Sequence, residues 1–170
     1  MINSIKRTFI SYLVRGIPET SFFGLKRFLY RQLNHKIGTN VRICSSAKII
    51  GHGHLEIGEN TWIGPGCLIA SSSKIIIGKN VDIAPQVYIG TGTHELMDIQ
   101  DRIAGTGRNY DVIIGDGTWV GVRAIILPGT IVESMCMIAA GSVVSKRIYS
   151  FTMVGGIPCK KIKDLKPSFK

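Results

Sequence analysis

One histidine stands in a segment whose residue types could carry proton-transfer chemistry. His94 lies in the run Thr93-His94-Glu95-Leu96-Met97-Asp98, and Asp101 follows closely. Imidazole is the side chain whose unperturbed pKa suits proton transfer near neutral pH, so His94 is the candidate general base. Glu95, Asp98 and Asp101 are close enough in sequence to orient its ring. The alternative is a surface loop whose histidine has no chemical role.

The elements that position His94 follow from a six-residue repeat of aliphatic residues. A helix has no such period, whereas a hexad fits one short strand and one tight corner, and three hexads make a triangular coil of 18 residues. We expect the aliphatic side chains to stack inside the coils and a glycine directly after them to permit the turn. Two-residue slips fall at corners between 49 and 57 and between 69 and 77. The repeat positions are Ile37, Ile43, Ile49, Ile57, Ile63, Ile69, Ile77, Ile83, Ile89, Ile114, Val120, Ile126, Val132, Ile138 and Val144.

The repeat predicts an all-β solenoid with distinct ends. We expect an N-terminal helical cap over residues 1–36, with helices over 4–15 and 21–34 on either side of Gly16-Ile17-Pro18. About five coils cover residues 37–149, and residues 150–170 form a basic C-terminal tail. The one long interruption, residues 90–113, contains His94, and a long excursion from a regular scaffold is usually functional.

The net charge of +10 is concentrated at the two ends of the 170-residue chain. Residues 1–42 carry +7, residues 43–142 carry −3 and residues 143–170 carry +6. This excess indicates either a solvated basic surface or an anionic partner such as a phosphorylated cofactor or a membrane surface. Nucleic acid is disfavoured because the basic ends lack interleaved aromatic residues. No apolar run suits a membrane span or a secretion signal, which predicts a cytoplasmic protein.

The repeat, the loop at residues 93–98 and the stretch from Ile113 to Ile162 resemble the hexapeptide-repeat acyltransferases. Within that family the chain looks most like the galactoside and maltose O-acetyltransferases and the bacterial polysaccharide O-acetyltransferases. The resemblance implies a left-handed parallel β-helix and a homotrimer with active sites between its subunits. It also implies acetyl-CoA as cosubstrate and no metal, and the four cysteines lack the spacing of a zinc site.

The resemblance implies roles for individual residues as well. His94 would take the proton from a sugar hydroxyl, with Glu95 beside it at the catalytic centre, and the backbone N–H of Val122 would donate to the oxyanion. Ser71 falls where a contact to the acceptor is expected. Lysines near the end would supply charge, without bidentate geometry, to coenzyme A phosphates. The residues expected to contact the cofactor are Trp119, Val122, Ala140, Ser145, Pro158, Lys160 and Lys163.

These features predict an acetyl-CoA-dependent O-acetyltransferase that moves an acetyl group directly to a hydroxyl of a sugar or cell-surface polysaccharide precursor. It would act in the cytoplasm or at the inner face of the membrane, which its basic N-terminal helices would touch. The alternatives are an N-acetyltransferase of amino or nucleotide sugars, a non-catalytic member of the fold, and a zinc-binding member resembling a carbonic anhydrase. The last is disfavoured because His52 and His54 flank a corner glycine far upstream of His94.

Overall fold

The chain forms a triangular solenoid whose three walls are parallel β-sheets. The computed structural model describes residues 2–96 and 102–165, with side chains from Ser4 onward, so Asp98 and Asp101 lie outside the described residues. Strands are numbered in chain order. Face A contains β1 (Lys36–Ile37), β4 (His54–Ile57), β7 (Lys74–Ile77), β12 (Val112–Ile114) and β15 (Ile131–Val132).

The chain passes from face A to face B and then to face C in every coil. Face B contains β2 (Arg42–Ile43), β5 (Trp62–Ile63), β8 (Asp82–Ile83), β13 (Trp119–Val120), β16 (Met137–Ile138) and β18 (Thr152–Gly155), with β19 (Lys160–Asp164) antiparallel at its edge. Face C contains β3 (Lys48–Ile50), β6 (Leu68–Ala70), β9 (Tyr88–Gly90), β14 (Ile125–Ile126) and β17 (Val143–Val144). A hairpin of β10 (Gly92–Leu96) and β11 (Ala104–Asn109) projects between faces C and A.

The aliphatic repeat fills the interior, as predicted. Ile37 pairs with Ile57, Ile57 with Ile77, Ile77 with Ile114, and Ile114 with Val132, so one buried column runs the length of face A. Register steps of 20 residues in the first coils confirm the two-residue slips. All the repeat positions are buried except Ile49, which is partly buried against the same core. Burying one isoleucine contributes about 1.5–3 kcal/mol, so each member of this column stabilises the solenoid.

The glycines after the repeat positions are required by the neighbouring coil and not by the turn itself. A Cβ added to Gly115 would lie 2.6 Å from the carbonyl carbon of Glu133 in the next coil, and Gly121 is equally close to Ala140. The turn is made two residues later, where the backbone enters the left-handed region. Residues with positive φ at this third position include Asn40, Asn60, Asn80, Gln86, Arg123 and Met135.

Two helices cover the first coil. α1 spans Ile2–Arg15 and α2 spans Phe23–Arg31, so the second helix is shorter than predicted because Phe22 adopts a left-handed conformation and the chain turns after Arg31. Ile10 and Val14 of α1 and Tyr30 of α2 join the core of the solenoid. No helix among the described residues has the length and apolar character to cross a bilayer.

Three cations of α2 hold the cap through backbone carbonyls. Lys26 is fully buried, and its Nζ donates to the carbonyls of Pro18 and Glu19 at 3.0 and 2.8 Å. Arg27 donates to the carbonyl of Val41 at 2.9 Å, and Arg31 donates to that of Ile37. Part of the basic N-terminus is therefore structural, since it satisfies the carbonyls at the start of the solenoid.

The segment expected to be a basic tail begins as part of the solenoid. β18 pairs in parallel with β16, so face B continues into a sixth coil, and β19 folds back on β18. The register places Lys160 opposite Gly155 and Lys163 opposite Met153. These lysines are therefore carried by a regular hairpin.

Candidate functional site

The site candidate is the corner between faces C and A in the third coil. In the first two coils this corner consists of residues 51–53 and 71–73, whereas in the third coil the β10–β11 hairpin is inserted there. The hairpin is closed at its base because the N–H of Tyr110 donates to the carbonyl of Thr91 at 2.9 Å. The N–H groups of Ser72 and Ser73 donate to Thr91 Oγ1 at 2.8 and 3.1 Å. The hairpin therefore stands on a fixed base.

His94 is placed on β10 with one ring nitrogen engaged. Its exposed side chain has Nδ1 2.9 Å from the carbonyl oxygen of Gly105. Because a carbonyl can only accept, Nδ1 carries the hydrogen in the neutral ring and Nε2 is left with a free lone pair. Gly92, Thr93, Gly107, Arg108 and Asn109 line the shallow depression around the ring. This arrangement can accept a proton at Nε2 from a group bound in the depression.

Glu95 does not orient His94 in this structure. Adjacent residues of a strand point to opposite sides, and Glu95 accepts a hydrogen bond from Arg108 Nε at 2.7 Å. The orienting contact expected from a carboxylate is made by the Gly105 carbonyl. Sequence reasoning missed this contact, as it missed Arg108 and Asn109, because the hairpin strands were not recognised inside the long interruption.

Ser71 lies at the same corner one coil earlier, with its side chain turned inward. It is 1% exposed, and its Oγ donates to the carbonyl of Ser73 at 2.8 Å. The exposed neighbour Ser72 lies beside Gly92 at the base of the hairpin. Side chains of a strand alternate between its two sides, and β6 leads into this corner, so the alternation places Ser71 inward and Ser72 outward. This alternation was the signal in the sequence that Ser72, and not Ser71, is exposed.

Most of the predicted cofactor contacts gather at a different corner, between faces B and C. Val122 follows β13, Ala140 follows β16, and Pro158 lies in the turn between β18 and β19, so the three occupy successive coils. The coils are linked here because the N–H of Val143 donates to the carbonyl of Gly156 and the N–H of Cys159 donates to that of Val143. Val122, Ala140 and Pro158 are exposed. Trp119 lies nearby on face B and is 53% exposed.

Ser145 lies apart from that group. It follows β17 at the corner between faces C and A, on the same edge as the His94 hairpin. Face C therefore separates the His94 edge from the edge that carries Val122, Ala140 and Pro158, and the structure of one chain does not bring the two sets together.

The N–H of Val122 is available for a ligand. Within residues 2–96 and 102–165 it donates to no acceptor, whereas the flanking N–H groups of Gly121 and Arg123 donate to the carbonyls of Ile138 and Pro85. Lys160 and Lys163 are exposed and form no ion pair with a described residue, whereas Lys161 contacts Asp164 at 2.6 Å. The free N–H follows β13 of face B, and the two unpaired cations lie on β19 at the edge of the same face.

The cysteines are structural. All four are buried and free, and burial raises the pKa of the Cys44 and Cys67 thiols to about 11. A thiol with a raised pKa is protonated at neutral pH and is a poor nucleophile. Among the described residues no three histidine, cysteine or carboxylate side chains converge into a metal-binding group.

Comparison with known proteins agrees with the geometry. Residues 111–146 match the family model described as "Hexapeptide repeat of succinyl-transferase". This part of the chain therefore carries the hexapeptide repeat that the family model describes. It is 36% identical over 112 residues to "Putative acetyltransferase SACOL2570" of Staphylococcus aureus, which covers 66% of this chain and 56% of that protein. The chain thus spans about half the length of the curated relatives it matches, or less.

Solved structures show the same architecture across almost the whole chain. A maltose O-acetyltransferase from Clostridium difficile aligns with a TM-score of 0.71 at 28% identity, covering 97% of this chain and 89% of that one. A hexapeptide-repeat acetyltransferase from Vibrio cholerae, solved with acetyl coenzyme A, aligns with a TM-score of 0.79 at 24% identity, covering 97% and 88%. The solenoid is therefore a left-handed parallel β-helix, as the family resemblance implied.

Proposed function

We propose that this protein is an acetyl-CoA-dependent O-acetyltransferase with His94 as its general base. The observation that carries the proposal is the hydrogen bond from His94 Nδ1 to the Gly105 carbonyl at 2.9 Å, which leaves Nε2 free. Nε2 takes the proton of the acceptor hydroxyl as its oxygen attacks the thioester carbonyl. The tetrahedral intermediate collapses by breaking the C–S bond, and the imidazolium returns the proton to the departing thiolate. No covalent enzyme intermediate is needed, in keeping with four buried cysteines.

Two further groups support the same reaction. The Val122 N–H, which donates to no acceptor among the described residues, is suited to stabilise the oxyanion. Lys160 and Lys163 provide unpaired positive charge for coenzyme A phosphates, and Trp119, Ala140, Ser145 and Pro158 offer exposed surface for the rest of the cofactor. Glu95 acts on the loop by holding Arg108. Ser71 supports the acceptor side of the corner through its backbone contacts.

The active assembly in this proposal is a homotrimer. The predicted cofactor edge and the His94 edge of one chain lie on opposite sides of face C, so one chain alone does not bring the two sets of residues together. A neighbouring chain packed along face C would bring its cofactor edge next to the His94 edge of the first chain. A threefold closed assembly satisfies this requirement for every chain with one type of interface. Sedimentation of the full chain tests it directly.

The acceptor is a hydroxyl of a sugar or cell-surface polysaccharide precursor, acetylated in the cytoplasm or at the inner membrane face. The N-terminal helices support the second location, because their outer side exposes apolar residues beside basic ones. The exposed apolar residues are Ile5, Phe9, Leu13, Phe22, Leu25 and Phe28. Binding of the protein to anionic vesicles, and its loss in Phe9→Ser/Phe28→Ser, tests this contact.

Acetyl transfer to a panel of free sugars, amino sugars, nucleotide sugars and lipid-linked oligosaccharides tests the reaction. We expect His94→Gln to lower kcat by about 10²–10⁴-fold, the usual contribution of a general base, with an unchanged melting temperature. His54→Gln, a matched change on face A, should keep wild-type kcat. Transfer by His94→Gln at wild-type rate would refute the mechanism. Acetylation of amino groups in preference to hydroxyls would favour the N-acetyltransferase alternative.

The cofactor contacts are tested separately. Lys160→Gln/Lys163→Gln should raise the KM for acetyl-CoA about tenfold and reduce the rise in melting temperature that coenzyme A causes, because two charge-assisted contacts to phosphate are lost. Lys161→Gln is the matched control, since Lys161 is already paired with Asp164. Equal effects of the control and the double variant would contradict the assignment.

A further inference from the structure

A cationic pocket lies between α1 and the first coil. Its lining combines hydroxyl groups of α1 with the end of β3 and the corner that follows. The side chains that give it positive charge are Arg7, Arg15 and Lys48. No carboxylate is present among the described residues of the lining. An arrangement of several cations and hydroxyls without a counter-charge is suited to an oxyanion.

No described residue neutralises the positive charge of this pocket. Arg7 Nε and Nη1 are sealed from solvent and have no hydrogen-bond partner among the residues that the structure describes. The side chains of Arg15 and Lys48 likewise form no ion pair with a described residue, whereas Lys26, Arg27 and Arg31 of the same cap all donate to carbonyls. Part of the Arg7 guanidinium therefore lacks an acceptor, and an anion bound in the pocket would supply negative charge close to it.

The pocket lies on the same edge of the solenoid as His94. The corner at His52 stacks on that at Ser72, because the N–H of Gly53 donates to the carbonyl of Ser71 at 2.8 Å. The corner at Ser72 stacks on the base of the hairpin through Thr91 Oγ1. Two coil spacings of ~4.8 Å separate the corner of the pocket from the base of the His94 hairpin, which is roughly 10 Å.

We propose that this pocket binds an anionic group of the acceptor, so that the substrate is a phosphorylated or carboxylated sugar whose hydroxyl reaches His94. The inference rests on the proposed function and adds the substrate class. Arginine binds phosphoryl and carboxylate groups alike through two parallel hydrogen bonds, and Lys48 adds a point charge. The shared chemistry is an oxyanion bound on the edge of the solenoid that also carries His94.

Binding without turnover is the first test. Pyrophosphate is titrated calorimetrically into the full chain with coenzyme A present, so that Lys160 and Lys163 are already occupied. Arg15→Gln/Lys48→Gln removes two cations of the pocket and should weaken pyrophosphate binding by at least about tenfold, the minimum expected for loss of charge-assisted contacts. Lys79→Gln, which removes a surface cation paired with Glu59, should leave it unchanged. Unchanged binding in the double variant would overturn the proposal, as would binding of anionic vesicles but not of pyrophosphate.

Acceptor selectivity is the second test. A neutral methyl glycoside, the same sugar phosphate and the corresponding uronic acid are compared by kcat/KM. The wild type should prefer an anionic acceptor, and Arg15→Gln/Lys48→Gln should reduce that preference about tenfold. Comparison of the sugar phosphate with the uronic acid shows whether the pocket prefers a phosphoryl group or a carboxylate. Failure of all acceptors with intact pyrophosphate binding would count against the acetyltransferase assignment and leave the pocket standing, whereas equal use of all three would overturn the pocket's role.

Discussion

The corner between faces C and A is built in two ways in successive coils. In the second coil, residues 71–73 make the turn with buried Ser71 at its centre. In the third coil, the same corner carries the β10–β11 hairpin with exposed His94. Faces C and A continue past both corners, since β6 pairs with β9 and β7 pairs with β12. The stacking of the coils therefore depends on the base of a corner, and the residues beyond that base are free to serve chemistry.

Alanine substitutions at two glycines should give the largest difference in stability between a coil and the hairpin. Gly115→Ala places a Cβ 2.6 Å from backbone of the next coil, so we expect the free energy of unfolding to fall by about 3 kcal/mol or more. Gly107→Ala in the hairpin meets nothing within 4 Å and should change it by less than about 0.5 kcal/mol. Guanidinium unfolding followed by circular dichroism measures both. Equal destabilisation by the two variants would mean that the hairpin is as tightly packed as the coils.

The base of the hairpin gives the next largest effect. Thr91→Val removes the acceptor of two N–H groups at a fully buried position, which we expect to destabilise the protein by about 2 kcal/mol. Thr93→Val makes the same change at an exposed hairpin position and should be nearly neutral. Hydrogen exchange at Ser72 and Ser73 would report the loss locally. Unchanged exchange in Thr91→Val would show that the hairpin is held by other contacts.

The buried His35 should make the stability of the protein depend on pH. His35 is 5% exposed, and burial, with Arg7 and His54 nearby, lowers its pKa to about 4. Between pH 6.5 and 4 the unfolded chain therefore binds more protons at this residue than the folded chain, and stability falls as the pH falls. The expected slope is about 1 kcal/mol per pH unit. His35→Gln should flatten this slope, as measured by unfolding at pH 7 and pH 5, and an unchanged slope in the variant would contradict the assignment.

The repeat made the fold predictable because each buried aliphatic residue must meet its equivalent one coil later. The period fixed the columns from Ile37 to Val144, and the break in it located the hairpin. The reason for the glycines was wrong, because the requirement is set by the neighbouring coil. Asparagine at positions 40, 60 and 80, three residues after a repeat position, was the overlooked signal of the left-handed turn.

The site was less predictable than the fold because its contacts are made across the hairpin and between coils. The partner of His94 is a backbone carbonyl, which leaves no mark in the residue types. Likewise the composition could not separate the structural cations Lys26, Arg27 and Arg31 from Arg7, Arg15 and Lys48, since all are basic residues near the N-terminus. Only the docking of the helices on the first coil distinguishes them.

The closure of the hairpin by the Tyr110 N–H and the Thr91 carbonyl means that the chain leaves and rejoins the solenoid at a single point. The hairpin is thus a side branch whose exchange alters no strand of the three faces. A hairpin of another length or composition, carrying a different base or a different acceptor surface, could be transplanted onto the same stem. Substrate range can in this way change by exchange of one module while the columns of isoleucine stay as they are.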